Sequence, residues 1–367
     1  MTAVFPAAQI DISALQHNLE CVRAAAPDSK VMAVLKANAY GHELALVVSA
    51  LAAADALAVA RVSEGVEIRA RGCQRRIVVL EGVNNSEELA LAERYRAELV
   101  IHRQDQIDLL QERERSASFV IWLKLDTGMN RLGFPQAEAA VALNRLREMP
   151  QVVQPVNLMT HLASADLRSH KMSEQQIHSF DTVCAKETGE LSIANSAGLL
   201  AWPASRRDWV RPGIMLYGIS PFADQTGADL GLKAAMHFRT RLIAVRLVRA
   251  GECVGYGATW TAKRDTWIGT AAAGYGDGYP GNLPSGTPVG VNGQRRPLAG
   301  RVSMDMIAID LGPDPVGRVG DTVTLWGPGI PVEEIAGLAG RLSYEVVCGV
   351  SRRVPRLAEK EKQTTRS

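Results

Sequence analysis

The sequence predicts an α/β protein, a (β/α)8 TIM-type barrel followed by a mostly β C-terminal domain. Three observations predict it. Eight short apolar runs alternate with mostly helical stretches up to about residue 215, the count such a barrel needs. After about residue 235 the texture changes to short strands divided by Gly and Pro turns. At 367 residues the chain exceeds one small core, so a large unit plus a smaller one is expected.

In order, the runs are VMAVL (31–35), ALAVA (56–60), RIVVL (76–80), ELVI (98–101), FVIWLKL (119–125), PVNLMT (155–160), ELSIA (190–194) and DWVRPG (208–213). Most are short and rich in Val and Ile, as strands buried on both faces are. Between them, SEGVEIRARG, SEELALAERYR, PQAEAAVALNRLREM and SEQQIHSFDTVCAKE carry helical periodicity, each opening on Ser or Pro. A doubly wound open sheet is the alternative, and the lack of GxGxxG after the first run weighs against it. Further on, MHFRTRLIAVRLV, IGTAAAGY, TPVGVNG, RRPLAGRV, MIAIDLG and DTVTLWG read as strands, with one short helix near PVEEIAGLAG. The connection falls in SPFADQTGADLG (220–231). It divides the chain into a barrel, 1–230, and a β domain, 231–367.

Composition narrows the function. Apolar residues make up 47% and charged residues 22%, as in a soluble globular protein. A net charge of +2 gives no electrostatic case for nucleic acid or an anionic membrane as partner. No apolar stretch reaches the length of a membrane span, and MTAVFPAAQIDIS lacks a basic region before a hydrophobic one, so no secretory signal is read. The five cysteines are scattered and never form CxxC. That argues against a disulfide framework or a zinc site and fits a reducing cytoplasm. The seven histidines show no ligand spacing, and no metal is expected. The tail EKEKQTTRS is charged and expected to fray.

Barrel active sites lie at the C-terminal ends of the strands, so the residues after each run are the candidates. The first run ends at Lys36 with Tyr40 beyond it. The fifth gives Lys124, Asp126 and Arg131 in KLDTGMNRLG, the sixth His161, the seventh Asn195 and Ser196, and the eighth Arg211 and Gly213. Runs two to four end in the less telling Arg61, Glu81 and His102. Alone, Lys36 reads as a lysine reaching out to water, and a single His or Arg beside a strand reads as a structural partner. Together they converge on one rim. A lysine at a dry strand exit can form a Schiff base, and a glycine loop beside a serine hydroxyl can cradle a phosphate. That pair of features points to pyridoxal 5'-phosphate.

The segments VLKANAYGH, KLDTGMNRLG, MTHLASAD, IANSAG, WVRPGIMLYG, GYGAT, AAGYGDGYP, GRVSMDM and SYEVV, in this order along nearly the whole chain, resemble the alanine racemase family. The resemblance implies a pyridoxal-phosphate barrel and β domain working as a homodimer. Lys36 would hold the cofactor and act as the base for D-alanine, and Tyr256, reaching across from the partner subunit, as the base for L-alanine. Tyr40, Ser196, Gly213, Ile214 and Tyr344 would hold the phosphate, with Asn195 beside them. Arg211 would face the pyridine nitrogen with His161 behind it. Arg131 would contact the cofactor's phenolic oxygen and the substrate carboxylate, which the Met304 amide also binds. Lys124 matches a lysine that is carbamylated in some members.

Chemistry agrees with this carry-over. Racemisation removes a proton from one face of Cα and delivers one to the other, so two groups must flank it. A tyrosine is a poor base unless cations stabilise its phenolate, and His161 and Arg211 are expected to supply that charge. Some positions depart from the family's commonest pattern. Glu43 follows GH where many members have Gly, Ser303 replaces Cys or Ala, and Trp260 replaces Tyr. The rivals are a barrel-type decarboxylase, disfavoured by Arg211, a racemase of broader range, usually exported, and a single-barrel cofactor carrier, which would need neither Tyr256 nor a second domain. The D-alanine would feed peptidoglycan, or the enzyme would degrade alanine.

Overall fold

The computed structural model describes residues 4–314 and 316–359. Of the tail expected to fray, all but Glu359 lies outside the described residues. Eight strands close into a parallel barrel: β2 (Lys30–Val34), β3 (Ala56–Val59), β4 (Arg76–Val79), β5 (Glu98–Ile101), β6 (Phe119–Asp126), β8 (Val152–Met159), β9 (Leu191–Ser192) and β10 (Trp209–Val210). They pair in chain order, and β10 returns to β2 through Trp209↔Lys30 and Val210↔Val31. The two-residue strand β7 (Phe134–Pro135) adds to β6 just beyond the rim. Helices such as Ser86–Arg94, Gln136–Glu148 and Met172–Cys184 cover the outside. The four residues of β3 and the four of β5 are all buried, which explains their unbroken apolar or near-apolar runs.

The last two strands are much shorter than their apolar runs. Single hydrogen bonds extend the closure past them, from Arg211 N–H to Ala194 at 2.8 Å and from Val34 N–H to Pro212 at 3.0 Å. At the N-terminal end of the barrel sits a buried polar knot. The Glu98 carboxylate accepts from Arg76 and from the Trp122 indole at 2.9 Å. Trp122 in turn meets Trp209 edge-on at 6.1 Å.

The second half is a mostly β unit built on the long strand β11 (Met236–Val248). One branch of its sheet runs through β18 (Thr322–Trp326), β15 (Pro288–Val291) and β16 (Gln294–Pro297), and another through β14 (Thr266–Ala271) and β17 (Ile307–Gly312). The strand β1 (Ala7–Ile10), from the start of the chain, lies in this same sheet. It is antiparallel to β11 and parallel to β19 (Arg356–Ala358). The expected short helix spans Val332–Leu338, and a second follows at Ser343–Cys348. One continuous apolar core joins barrel and sheet. Among the described residues no helix is long and apolar enough to cross a membrane.

Candidate active site

A cavity of about 630 Å³ opens at the C-terminal ends of the barrel strands. Lys36 stands one residue past the buried Leu35 at the exit of β2. The chain then turns left-handed for four consecutive residues, Ala37, Asn38, Ala39 and Tyr40, with φ of 57°, 52°, 54° and 53°. Each L residue held there costs roughly 1–2 kcal/mol, so the turn persists only because its surroundings fix it. Its first N–H, on Ala37, donates to Glu64 Oε1 at 2.7 Å. Asn38 Oδ1 accepts from Leu44 N–H at 2.8 Å and starts the next helix. Gly41 closes the turn at φ 78°, where a Cβ would lie 2.3 Å from the Val347 carbonyl oxygen.

The turn carries Tyr40 inward, stacked on Tyr217 at 4.8 Å and tilted against Tyr344 at 6.1 Å. Tyr40 and Tyr344 both line the cavity. Opposite them, Ser196 Oγ accepts from Gly213 N–H at 2.9 Å and Met215 N–H at 3.4 Å. With both bonds accepted, its own O–H remains to donate into the cavity. A Cβ on Gly213 would come within 2.5 Å of Tyr40 Oη, so the cradle requires glycine. Ile214 and Asn195 complete this side, Asn195 capping the helix Ser196–Ala201 through Gly198 N–H at 2.8 Å.

Besides Arg103, which pairs with Asp105, four basic side chains line the same space: Lys36, Lys124, Arg131 and Arg211. Among the described residues none of them forms an ion pair. Arg211 is buried and donates to Ser192 Oγ and the Thr160 carbonyl, both at 2.6 Å, and to Ile193 at 3.1 Å. Burial lowers its pKa to about 10, so it stays charged at neutral pH. Burial and the neighbouring Arg211 push Lys124 down to about 8. Lys36 is lowered by burial and then by Arg131.

His161 does not add to this charge. Burial first and Arg211 second hold it well below the usual imidazole range, and Arg211 Nη2 donates toward its Nδ1 at 3.4 Å. This lowering argues against the expectation that His161 supplies positive charge for a phenolate; the cations around it are Arg211, Lys124, Arg131 and Lys36. Tyr256 and Met304 lie outside this cavity, on the β domain, 71% and 54% exposed. Glu81 and His102, set aside at the sequence level, do line it, as does Cys348. The first two held a strand-exit position that marked them; Cys348 follows the SYEVV segment directly, but its residue type gave no sign of a place in the site. Asp11, His237 and Glu359 also gather, apart from the cavity. Asp11 is taken by Ser13 and Ala14, and Glu359 by Arg239 and His237, so this trio is already satisfied.

A mainly cationic cavity with a glycine–serine cradle and a lysine of lowered pKa fits a phosphorylated carbonyl compound, whose phosphate needs cations and N–H donors and whose carbonyl needs an amine. Closed parallel barrel, following β unit and this donor set define the barrel-type pyridoxal-phosphate enzymes. Comparison with known proteins narrows the class. Residues 10–221 match the alanine racemase N-terminal domain and residues 235–358 the alanine racemase C-terminal domain. Over 356 residues the chain is 50% identical to the alanine racemase of Nitrosococcus oceani, covering 97% of this chain and 99% of that one. It is 47% identical to that of Vibrio parahaemolyticus over 345 residues, 94% and 96% of the two chains. The crystal structure of biosynthetic alanine racemase from Pseudomonas aeruginosa superposes with a TM-score of 0.92 at 47% identity, covering 96% and 99%. The chain belongs to the alanine racemase family. It is a pyridoxal-phosphate-dependent isomerase that racemises alanine.

Proposed function

We propose that Lys36 and Tyr256 are the two groups that move the α-proton, in a site shared between the subunits of a homodimer. The observation that carries this reading is the cavity holding three further basic side chains without ion-pair partners, Lys124, Arg131 and Arg211, around Lys36, while Tyr256 stands exposed outside it. Bound pyridoxal phosphate supplies an electron sink that acidifies the α-hydrogen of alanine. Lys36 holds the cofactor and, in its lowered-pKa amine form, takes or returns the proton on one face of Cα. Tyr256 of the partner subunit serves the other face. Tyr40, Ser196, Gly213, Ile214 and Tyr344 bind the phosphate, with Asn195 setting the start of the helix beside them. Arg211 would hold the cofactor's pyridine side, and His161, which accepts from Arg211 Nη2 at 3.4 Å, would help position it. Arg131 binds the substrate carboxylate with the partner's Met304 amide. The largely neutral amine of Lys124 at pH above 8 suits addition to carbon dioxide with loss of one proton, which would place a carboxylate among these cations.

Support for the dimer lies on the β domain. Tyr256, Tyr275, Met304 and Met306 are all exposed, and main-chain bonds from Tyr275 N–H to Ser303 and from Ser303 N–H to Met306, both at 3.0 Å, with Gly276 N–H to Met304 at 2.9 Å, tie the last three segments together. The division after residue 230 into barrel and β domain belongs to the same reading, with β1 lent by the first unit to the sheet of the second. Free cysteines at Cys21, Cys73, Cys184, Cys253 and Cys348 support a cytoplasmic location, where the enzyme would supply D-alanine for peptidoglycan or degrade alanine.

The test combines product and label. Purified protein incubated with L-alanine should form D-alanine, faster than it converts L-serine and far faster than L-lysine. Borohydride should bleach its colour and fix the label on the Lys36 peptide. A label on another lysine would overturn the assignment of Lys36.

A further inference from the structure

One carboxylate ties two neighbouring strand exits together. Glu64 Oε2 accepts from Ala60 N–H at 2.8 Å and Arg61 N–H at 3.1 Å, just past β3. Its Oε1 accepts from Ala37 N–H at 2.7 Å, the peptide immediately after Lys36. We infer that Glu64 is the positioning residue for Lys36, the acceptor that fixes the left-handed turn from which the lysine projects. This rests on the reading that Lys36 holds the cofactor.

The backbone of this turn has other conformations open to it. Ala37 is the first of the four left-handed residues, and right-handed φ and ψ are sterically better for every one of them. Later N–H groups of the turn have main-chain acceptors: Ala39 donates to Leu35 at 2.8 Å and Gly41 to Ala37 at 3.0 Å. Ala37 N–H has Glu64 alone among the described residues. Ala37 and Lys36 both line the cavity, so water would otherwise claim that N–H and free the peptide to rotate. Rotation there redirects the Lys36 side chain at its root. The bond is charge-assisted, and the negative charge at Glu64 also favours the protonated form of Lys36.

Glu64 also caps the helix Val62–Ala70, and a plain capping role must be told apart. The next βα unit provides the comparison. Glu88 accepts from Asn84 N–H at 2.8 Å at the start of the helix Ser86–Arg94, and it reaches no other strand exit. Glu64→Ala and Glu88→Ala therefore remove similar caps, but only the first releases the lysine turn.

The experiment compares holoenzymes of the unmodified protein, Glu64→Ala and Glu88→Ala by loss of bound cofactor to hydroxylamine and by the circular dichroism of the bound chromophore. Glu64→Ala should lose cofactor about tenfold faster than Glu88→Ala, the factor one charge-assisted hydrogen bond supplies. Its chromophore dichroism should change, and kcat should fall with KM for alanine little altered. Glu64→Asp, which keeps the charge, should recover part of the difference. If Glu64→Ala does not fold, Glu64→Gln carries the test, since it keeps the volume and one acceptor oxygen. Equal rates and dichroism in the Glu64 and Glu88 variants, with borohydride still labelling Lys36, would overturn the role of Glu64 alone. A label elsewhere in the unmodified protein would overturn the Lys36 reading on which it rests.

Discussion

Glu43 occupies φ 71° and ψ 106°, a combination that L side chains rarely adopt and glycine adopts freely. Its side chain gains little in return, a 3.4 Å contact from Asn38 Nδ2. Glu43→Gly should therefore stabilise the fold by about 1 kcal/mol, net of the extra freedom glycine gives the unfolded chain. A rise in the urea midpoint with an unchanged slope checks it; a fall would mean that the Asn38 contact outweighs the strain. One residue earlier, His42 is fully buried between the turn and Tyr217, its rings 4.6 Å from that tyrosine, and donates through Nδ1 to Tyr40 O at 2.8 Å. Burial holds it at about 4, below its ordinary 6.5. The unfolded chain takes up a proton there between about pH 6.5 and 4 while the folded chain does not. Stability is complete above pH 6.5 and is lost as pH falls through that window, by up to about 3 kcal/mol from this group. His42→Phe should flatten the dependence of the urea midpoint on pH between 7 and 5. An unchanged slope would assign the acid sensitivity to His161 and the other buried histidines.

At the scale of elements, the two ends of the barrel strands have separate duties. Arg76 and Glu98 open β4 and β5 at the end away from the cavity, and Glu98 is only 5% exposed. Arg76→Ala would leave that carboxylate with the Trp122 indole as its main partner and should cost about 2–4 kcal/mol. Turnover per folded molecule should stay normal, because nothing at this end touches substrate. Adding Glu98→Gln should restore part of the stability. A large fall in kcat in well-folded Arg76→Ala would contradict this division of labour. The strands were legible in the sequence because burial on both faces writes continuous apolar runs. Pairing is less legible. ELSIA and DWVRPG mark buried chain, yet only Leu191–Ser192 and Trp209–Val210 pair as strands. β1 left no signal at all: AAQI is too short and alanine-rich to mark a strand, and its partner Arg239 lies far along the chain. In the site, Lys36, Lys124, Arg131, Arg211 and Ser196 could be read from their places after apolar runs. The left-handed turn could not, since ANAY gives no hint that three of its four residues lack the glycine or asparagine such a turn favours.

For the whole molecule, the proposed division of Lys36 and Tyr256 between cavity and exposed β surface predicts that activity is a property of the pair. Mixing inactive Lys36→Ala and Tyr256→Phe chains under subunit exchange should restore activity. In a mixed dimer one site lacks both groups and the other has both, so up to about half of the normal rate per mixed dimer is expected when sites act independently. Exchange shown by mass or fluorescence, with no recovery of activity, would place both groups in one chain. The β domain thus has two faces with different tasks. One covers its own barrel through Tyr344 and Val347, and Arg356 donates to the Gly41 carbonyl at 3.2 Å at the end of the lysine turn. The other carries Tyr256 and Met304 outward.

β1 lies between β11 and β19, and this gives the molecule an order of assembly. A strand made before the barrel finds its partners only after it. Through the synthesis of the entire barrel, Ala7–Ile10 has neither of these partners, and its second edge stays open until Arg356–Ala358 is made. The sheet is therefore a seam sewn with both ends of the thread. A nascent chain can close its barrel early, but it cannot lock the β domain until its own beginning is drawn back in. The lysine turn, held from that domain by Val347 and Arg356, receives its final support only then, so a partly made chain has no finished catalytic pocket.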